Sequence, residues 1–336
     1  MRASDNNKMD PCQLPPIKER ISKVFLSTNG FTLTEIVRQE KGNPLLEVLQ
    51  MLRNDVLNGT STFLHHIYRN RVGITENKLG YLCLDTEQFE NTMLEYFRDE
   101  DFTRSTSYIR YAAYTRESVG IWNNFIRQNT LDNPDELINH DDLFTGYNTV
   151  VNEYNKAILV NSEDYILEDL SRRVTDYNFE SFVVTLKNLE TRQTSAMTIV
   201  NHAHPSFINF YNHANALHLA TEDKTGAERN RAWKKYFEFK EKNLLLIDVP
   251  LYSGKAAKPR NTIPKDLDYG YGLTIHKLQG STIRNMFINV LDIAFWEGNR
   301  NKPRVNTSWD PYAVEFRNKL LYTAVSRASH LSFLLI

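Results

Sequence analysis

Several signatures are missing from this sequence, and each absence removes a class of function. Only two cysteines occur, Cys12 and Cys83, neither at a metal-ligand spacing. This excludes a disulfide scaffold and makes a reducing cytoplasm the simplest compartment. No run of about 18 apolar residues is present, so no membrane span is expected. The first residues, MRASDNNKMD, lack the apolar core of a signal peptide. Neither G-x-S-x-G nor H-E-x-x-H occurs, and the nine histidines are not paired at metal-binding spacing. There is no phosphate-cradling G-x-x-x-x-G-K-[ST]. Its nearest approach, Gly254-Lys255, continues with Ala256. No apolar strand ends in Asp-Glu to hold magnesium: LLLID at 244–248 runs on into Val249, and Asp135-Glu136 follows a proline. Simple hydrolase chemistry and self-contained ATP hydrolysis are both unsupported.

What is present reads as an ordinary globular chain of 336 residues, 41% hydrophobic and 24% charged, with a net charge of -1. Its length suggests two domains or one with a large insertion. Charge is uneven: Lys224 to Arg260 holds ten Lys or Arg against four Asp or Glu. That stretch is either a solvated helix face or a surface for phosphates.

Periodicity predicts a helix over 44–57, with Asn43 as cap, Pro44 in the first turn, Gly59 past its end and Leu45, Leu49, Leu52 and Val56 as its buried stripe. A second helix is predicted over 87–98, presenting Phe89, Met93 and Phe97. YIRYAAY at 108–114 reads as a strand, Thr115 as a cap, and the residues to Arg127 as a helix in which Trp122 is core. This is a strand–turn–helix unit of the α/β kind. From 129 to about 202 short β-like runs follow turn signals (156–160, 181–187 and 196–202), which predicts an inserted small β-barrel. Helical patterns cover 205–220 and 226–242. The tail returns to α/β, with strands at 272–276 and 286–290, a helix over 311–327, and LSFLLI at 331–336, whose wholly apolar character places it inside a parallel sheet.

Four strings carry chemistry. They are Asp10-Pro-Cys-Gln-Leu-Pro-Pro16, Leu33-Thr-Glu-Ile-Val-Arg-Gln39, Tyr271-Gly-Leu-Thr-Ile-His-Lys-Leu-Gln-Gly-Ser-Thr282 and Leu320-Leu-Tyr-Thr-Ala-Val-Ser-Arg-Ala328. In this order they resemble motifs III, IV, V and VI of superfamily 1 DNA helicases, in the RecD-like and Dda-like branch, from about Met9 to the end. The resemblance implies an α/β second RecA-like domain (24–128 and 263–336) with the small barrel and a helical region inserted at 129–262. Residues 1–23 would be a remnant of the first motor domain.

It further implies that Arg327 is the arginine finger, Arg38 a second γ-phosphate contact and Gln13 a γ-phosphate sensor, with Gln279 near the same cleft. A trans-acting arginine is a strong lever on phosphoryl transfer. Thr274, His276, Lys277, Gly280, Ser281 and Thr282 would follow single-stranded DNA, with Thr115 a further contact. Read without the family, His276 and Lys277 are a solvated loop, Arg327 is a helix-end arginine facing a dipole, and LTEIVRQ is a strand-to-helix junction.

ATP and Mg2+ belong to the intact family only together with a first motor domain. The implied partners are single-stranded DNA and a separate P-loop-bearing half, with 5′ to 3′ movement. Met9 stands where the family has glycine in motif III, and polar residues precede it. The chain is therefore expected to be half of a split motor, a stand-alone DNA-binding or regulatory module, or a fragment of a longer gene. A protein-interaction scaffold is the reading from another class.

Overall fold

The computed structural model describes residues 8–10, 12–15, 31–32, 38–152, 154–222, 224–252, 259, 261–294 and 311–336. Most of 1–23, residues 33–37 of the second string and the Gly254-Lys255 pair lie outside these. The chain forms two compact units: Arg127–Tyr271, and the described residues on either side of it.

The flanking unit is built on a six-stranded sheet. Its order is Gly272–Thr274, Ile109–Ala113, Ile283–Asn289, Ala328–Leu335, Gly80–Leu84 and Val72–Ile74; all neighbours are parallel except the last pair. The apolar terminal strand lies where its composition predicts, between two parallel neighbours, with Leu331, Phe333, Leu334 and Leu335 buried. Parallel strands need crossovers, and helices Leu45–Asn58, Thr86–Phe97 and Pro311–Val325 accompany this sheet.

Helix Leu45–Asn58 starts as its sequence signals. Asn43 Oδ1 accepts from the Leu45 amide at 2.9 Å, although Pro44 occupies the cap position itself. At the other end Gly59 takes φ 66°, the left-handed conformation that glycine tolerates best. The predicted stripe of Leu45, Leu49, Leu52 and Val56 is buried. Helix Thr86–Phe97 is closed by a reciprocal capping box between Asp85 and Gln88, and buries Phe89, Met93 and Phe97.

The unit Arg127–Tyr271 holds a five-stranded antiparallel sheet. The order is Thr194–Val200, Glu180–Asn188, Asp164–Val174, Leu143–Gly146 and Leu267–Tyr269. The expected barrel is not what forms: among the described residues the sheet stays open at both edges. The physical reason is visible at one edge. Leu244 bridges Ile199 in parallel, accepting from the Val200 amide and donating to Thr198 O, both at 2.9 Å. Two of the edge groups that closure would use, the Val200 amide and Thr198 O, are thus already paired. Helices Phe207–Glu222 and Gly226–Glu241 build a second core here from Phe210, Ala214 and Phe239 with Phe179, Val200 and Leu245.

No helix among the described residues is long and apolar enough to cross a membrane.

Candidate functional site

Two arginines meet where the Ile283 and Ala328 strands begin. Arg327 follows helix Pro311–Val325 and is 1% exposed. Its Nε donates to Thr323 O at 3.2 Å, Nη1 to Ser281 O at 3.4 Å and Nη2 to Ser326 Oγ at 3.0 Å. Arg38 donates from Nε to Thr282 Oγ1 at 2.9 Å and from Nη1 to Ser326 O at 2.5 Å. Among the described residues, every polar contact of either guanidinium is to a carbonyl or hydroxyl oxygen, never to a carboxylate.

Carbonyls at a helix C-terminus carry only partial negative charge, and the Asp10 carboxylate pulls on Arg327 without a hydrogen bond to it, so the two cations are only partly compensated. Burial, then the charge of Arg38, pushes the Arg327 pKa down to about 10. Arg38 is lowered by its own burial. Both remain charged at neutral pH.

The first string supports this cluster from below. Asp10 Oδ2 accepts from Tyr322 Oη at 2.5 Å and from Arg53 Nη1 at 3.2 Å, while Oδ1 accepts from the Cys12 amide. The Leu14 amide donates to Thr323 Oγ1 at 3.3 Å, and Gln279 Nε2 donates to Leu14 O at 3.0 Å. Residues of all four strings therefore join one network, although they are far apart in sequence. Gln13 lies half-buried in the stitched segment, with its amide donating to Asp10 O. Ser281 Oγ donates to Leu278 O at 2.7 Å. Gly280 takes φ 101° with nothing crowding its α-carbon, so the backbone conformation rather than space calls for glycine.

The remaining predicted residues sit at the opposite end of the same sheet. The chain leaves strand Gly272–Thr274 and turns at once into the short helix Ile275–Leu278. His276 is thus helical, not the last residue of a strand. Its ring packs beside Tyr114 (centroids 6.2 Å apart) and Phe316 (6.4 Å), which touch each other at 5.9 Å, and burial lowers its pKa. Thr274 and Lys277 are half-buried beside it.

Thr115 is tied down: its hydroxyl donates to Asp292 Oδ1 at 2.8 Å and accepts from the Ser118 amide at 3.1 Å. Asp292 Oδ2 also accepts the Tyr114 and Thr115 amides at 2.7 and 2.9 Å. Thr115 thus caps helix Arg116–Thr130 and anchors the strand end, while Tyr114, His276 and Phe316 form the aromatic surface beside it. Asp292 and Arg53 carry no local sequence signal for these contacts, and Tyr322 stands within the string around Arg327, where its neighbours carry the resemblance.

Among the described residues no group of three or more His, Cys, Asp or Glu is placed to hold a metal ion. Within this cluster the groups able to bind an anionic phosphate are Arg327 and Arg38, with the hydroxyls of Thr282 and Ser326 beside them.

No family model and no curated protein matches this sequence. Among solved structures, the chain is similar to the Pif1 helicase from Candida albicans at 14% identity, with a TM-score of 0.46, over 97% of this chain and 62% of that one. It is similar to the Bacteroides Pif1 helicase in complex with ADP-AlF3 and ssDNA at 13% identity, with a TM-score of 0.38, over 96% and 60%. A structure of two coordinating Pif1 helicases at forked dsDNA gives 15% identity, with a TM-score of 0.35, over 96% and 58%. The chain spans about 60% of the length of the solved structures it matches.

Proposed function

We propose that this chain is the arginine-finger and strand-gripping portion of an ATP-driven DNA helicase or translocase of superfamily 1. One observation carries the reading: buried Arg327 and half-buried Arg38 are held together, with hydrogen bonds to neutral oxygens alone among the described residues. Uncompensated buried positive charge is costly, and it is useful where a highly charged anion arrives during function. Phosphoryl transfer gathers charge on the equatorial oxygens of the transferred group, and an arginine supplied from across a cleft is worth about 10³ to 10⁵ in rate.

In this reading Arg327 is the finger, Arg38 contacts the same phosphate, and Gln13 and Gln279 report its presence to the DNA side. ATP and Mg2+ are held by a P-loop element that these residues do not include. Thr274, His276 and Lys277 lie along the path of single-stranded DNA, gripped through its backbone and bases without regard to sequence, and movement runs 5′ to 3′.

The purified chain is expected to bind labelled oligo(dT) with an affinity that falls steeply with salt, and to hydrolyse no ATP alone. Mixed with a P-loop-bearing partner domain it should hydrolyse ATP, and Arg327→Ala should cost about 10³-fold or more. Rapid ATP turnover by the chain alone overturns the reading, as does strand binding indifferent to salt.

A further inference from the structure

The helix Gly226–Glu241 carries the basic stretch noted in the sequence, and none of its residues enters the site described above. It buries Ala232, Tyr236 and Phe239, leaving a second face outward. That face is not the plain polar surface of a solvated helix. Trp233 and Phe237, one turn apart, stack at 5.5 Å between centroids and 24° between planes. Phe237 is 50% exposed. Trp233 is held from behind by edge-on contacts with His218 (5.7 Å, 86°) and Tyr236 (5.5 Å, 88°). The platform is therefore fixed before any ligand arrives, which lowers the entropy lost on binding.

Its surroundings are cationic. Arg229 precedes Trp233 by one turn, so it shares the row of Trp233 and Phe237. Lys234 is exposed on the adjoining row with Glu241, whereas Arg231, Lys235 and Lys242 are exposed on the far flank of the helix. Glu238 meets Lys234 only at 3.8 Å and in solvent, a pairing worth little. Lys240 is not available, being bound to buried Asp266. Exposed stacked aromatics flanked by arginine and lysine form the surface that unpaired bases and their phosphates fit: every base offers a π-face, and the cations follow the backbone.

We propose that this face is a second contact for single-stranded DNA, in which bases stack on Phe237 and Trp233 while Arg229 and Lys234 meet the phosphates. It shares its ligand with the function proposed above but none of its residues, so either can fail without the other.

The test is tryptophan fluorescence with a twelve-nucleotide oligo(dT). Quenching is expected in the native chain and should disappear in Trp233→Phe, which assigns the signal. It should persist in His276→Ala, which alters only the other site. Phe237→Ala removes a half-exposed ring and should weaken the quenching affinity by about five-fold or more. Arg229→Ala should lower the slope of log affinity against log salt by about one. An abasic strand of equal length should not quench. Equal quenching by the abasic strand would reduce the face to a charged surface and overturn the proposal. So would unchanged affinity in Phe237→Ala, or quenching by anionic phosphatidylserine vesicles and not by oligo(dT).

Discussion

Two arginines in this chain are almost equally buried, and they answer burial in different ways. Arg127, 5% exposed in the antiparallel unit, is fully partnered. Its Nε and Nη2 grip Asp142 at 2.6 and 2.9 Å, its remaining donors reach Pro134 O and Glu136 O, and its guanidinium lies 4.1 Å over the Tyr269 ring. Asp142 in turn accepts from the Asn139 amide and from Tyr271 Oη. Arg327, 1% exposed in the parallel unit, has carbonyls, one hydroxyl and a second arginine close enough to depress its pKa. A structural arginine is one whose charge is cancelled within the fold. An arginine buried beside another cation fits a fold that leaves room for an anion from outside.

The largest expected effect tests the compensated member. Asp142→Ala strands Arg127 in a site built around a carboxylate, and breaking a buried pair by removing one partner costs about 3–5 kcal/mol. Burial already raises the Asp142 pKa against the pull of Arg127, so the site has little tolerance for a poorer arrangement. Urea unfolding followed through the antiparallel unit should show the midpoint fall accordingly. A loss below about 1 kcal/mol would mean that Arg127 is no better satisfied than Arg327, and the contrast between them would dissolve.

The next variant should leave stability nearly untouched. Arg327→Met removes a charge that has no carboxylate partner among the described residues, so stability should change by about 1 kcal/mol or less, in either direction. Ligand response should separate the two proteins instead. Pyrophosphate, which mimics the tail of a nucleotide, should stabilise the native chain, by about 2.7 kcal/mol at a hundred times its Kd. It should leave Arg327→Met unmoved. Thermal unfolding with and without pyrophosphate reads both outcomes. Equal stabilisation of the two proteins would show that the arginine pair is not an anion site.

This contrast also shows how far the sequence could be read. Helix Leu45–Asn58 was legible because its cap, stripe and terminating glycine are all local signals. The terminal strand was legible because only burial on both faces tolerates so apolar a run. Strand Asp164–Val174 was not, since beyond Leu167 most of its side chains are exposed and no alternation survives. The open sheet was read as a barrel because strand runs do not say which edges meet, and Leu244 supplies its edge contact from far along the chain.

At the site, the four strings are visible in the sequence as strings, and Tyr271–Thr282 has the character of a single DNA-contacting segment. The structure distributes it over both ends of a sheet: Thr274 ends one parallel strand, and Thr282 precedes the next after a single helical turn. Asp10 pairs directly with Arg53 and both touch Tyr322, a three-way contact that nothing local announces.

His276 offers a third answer to burial, and the smallest effect. Where Arg127 acquires an anion and Arg327 keeps its charge, an imidazole can release its proton. Burial beside Tyr114 and Phe316 lowers the His276 pKa from its ordinary 6.5. Between that lowered value and 6.5 the unfolded chain binds a proton that the folded chain refuses. Stability linked to His276 is therefore fully present above pH 6.5 and is lost as pH falls through 6.5 towards the folded value. A tenfold change in proton affinity is worth about 1.4 kcal/mol, which sets the scale. His202, His213 and His330 are lowered by burial too, so the informative quantity is the difference between the native chain and His276→Gln. That difference, followed by urea unfolding from pH 7.5 to 5.0, should shift in favour of the variant as pH falls. A difference independent of pH would mean that His276 has the same proton affinity folded and unfolded, and burial among those rings would then cost it nothing. A difference moving towards the native chain as pH falls would mean that His276 keeps its proton there; it would then belong with Arg327 as a buried cation, and both ends of the sheet would hold positive charge ready for phosphate.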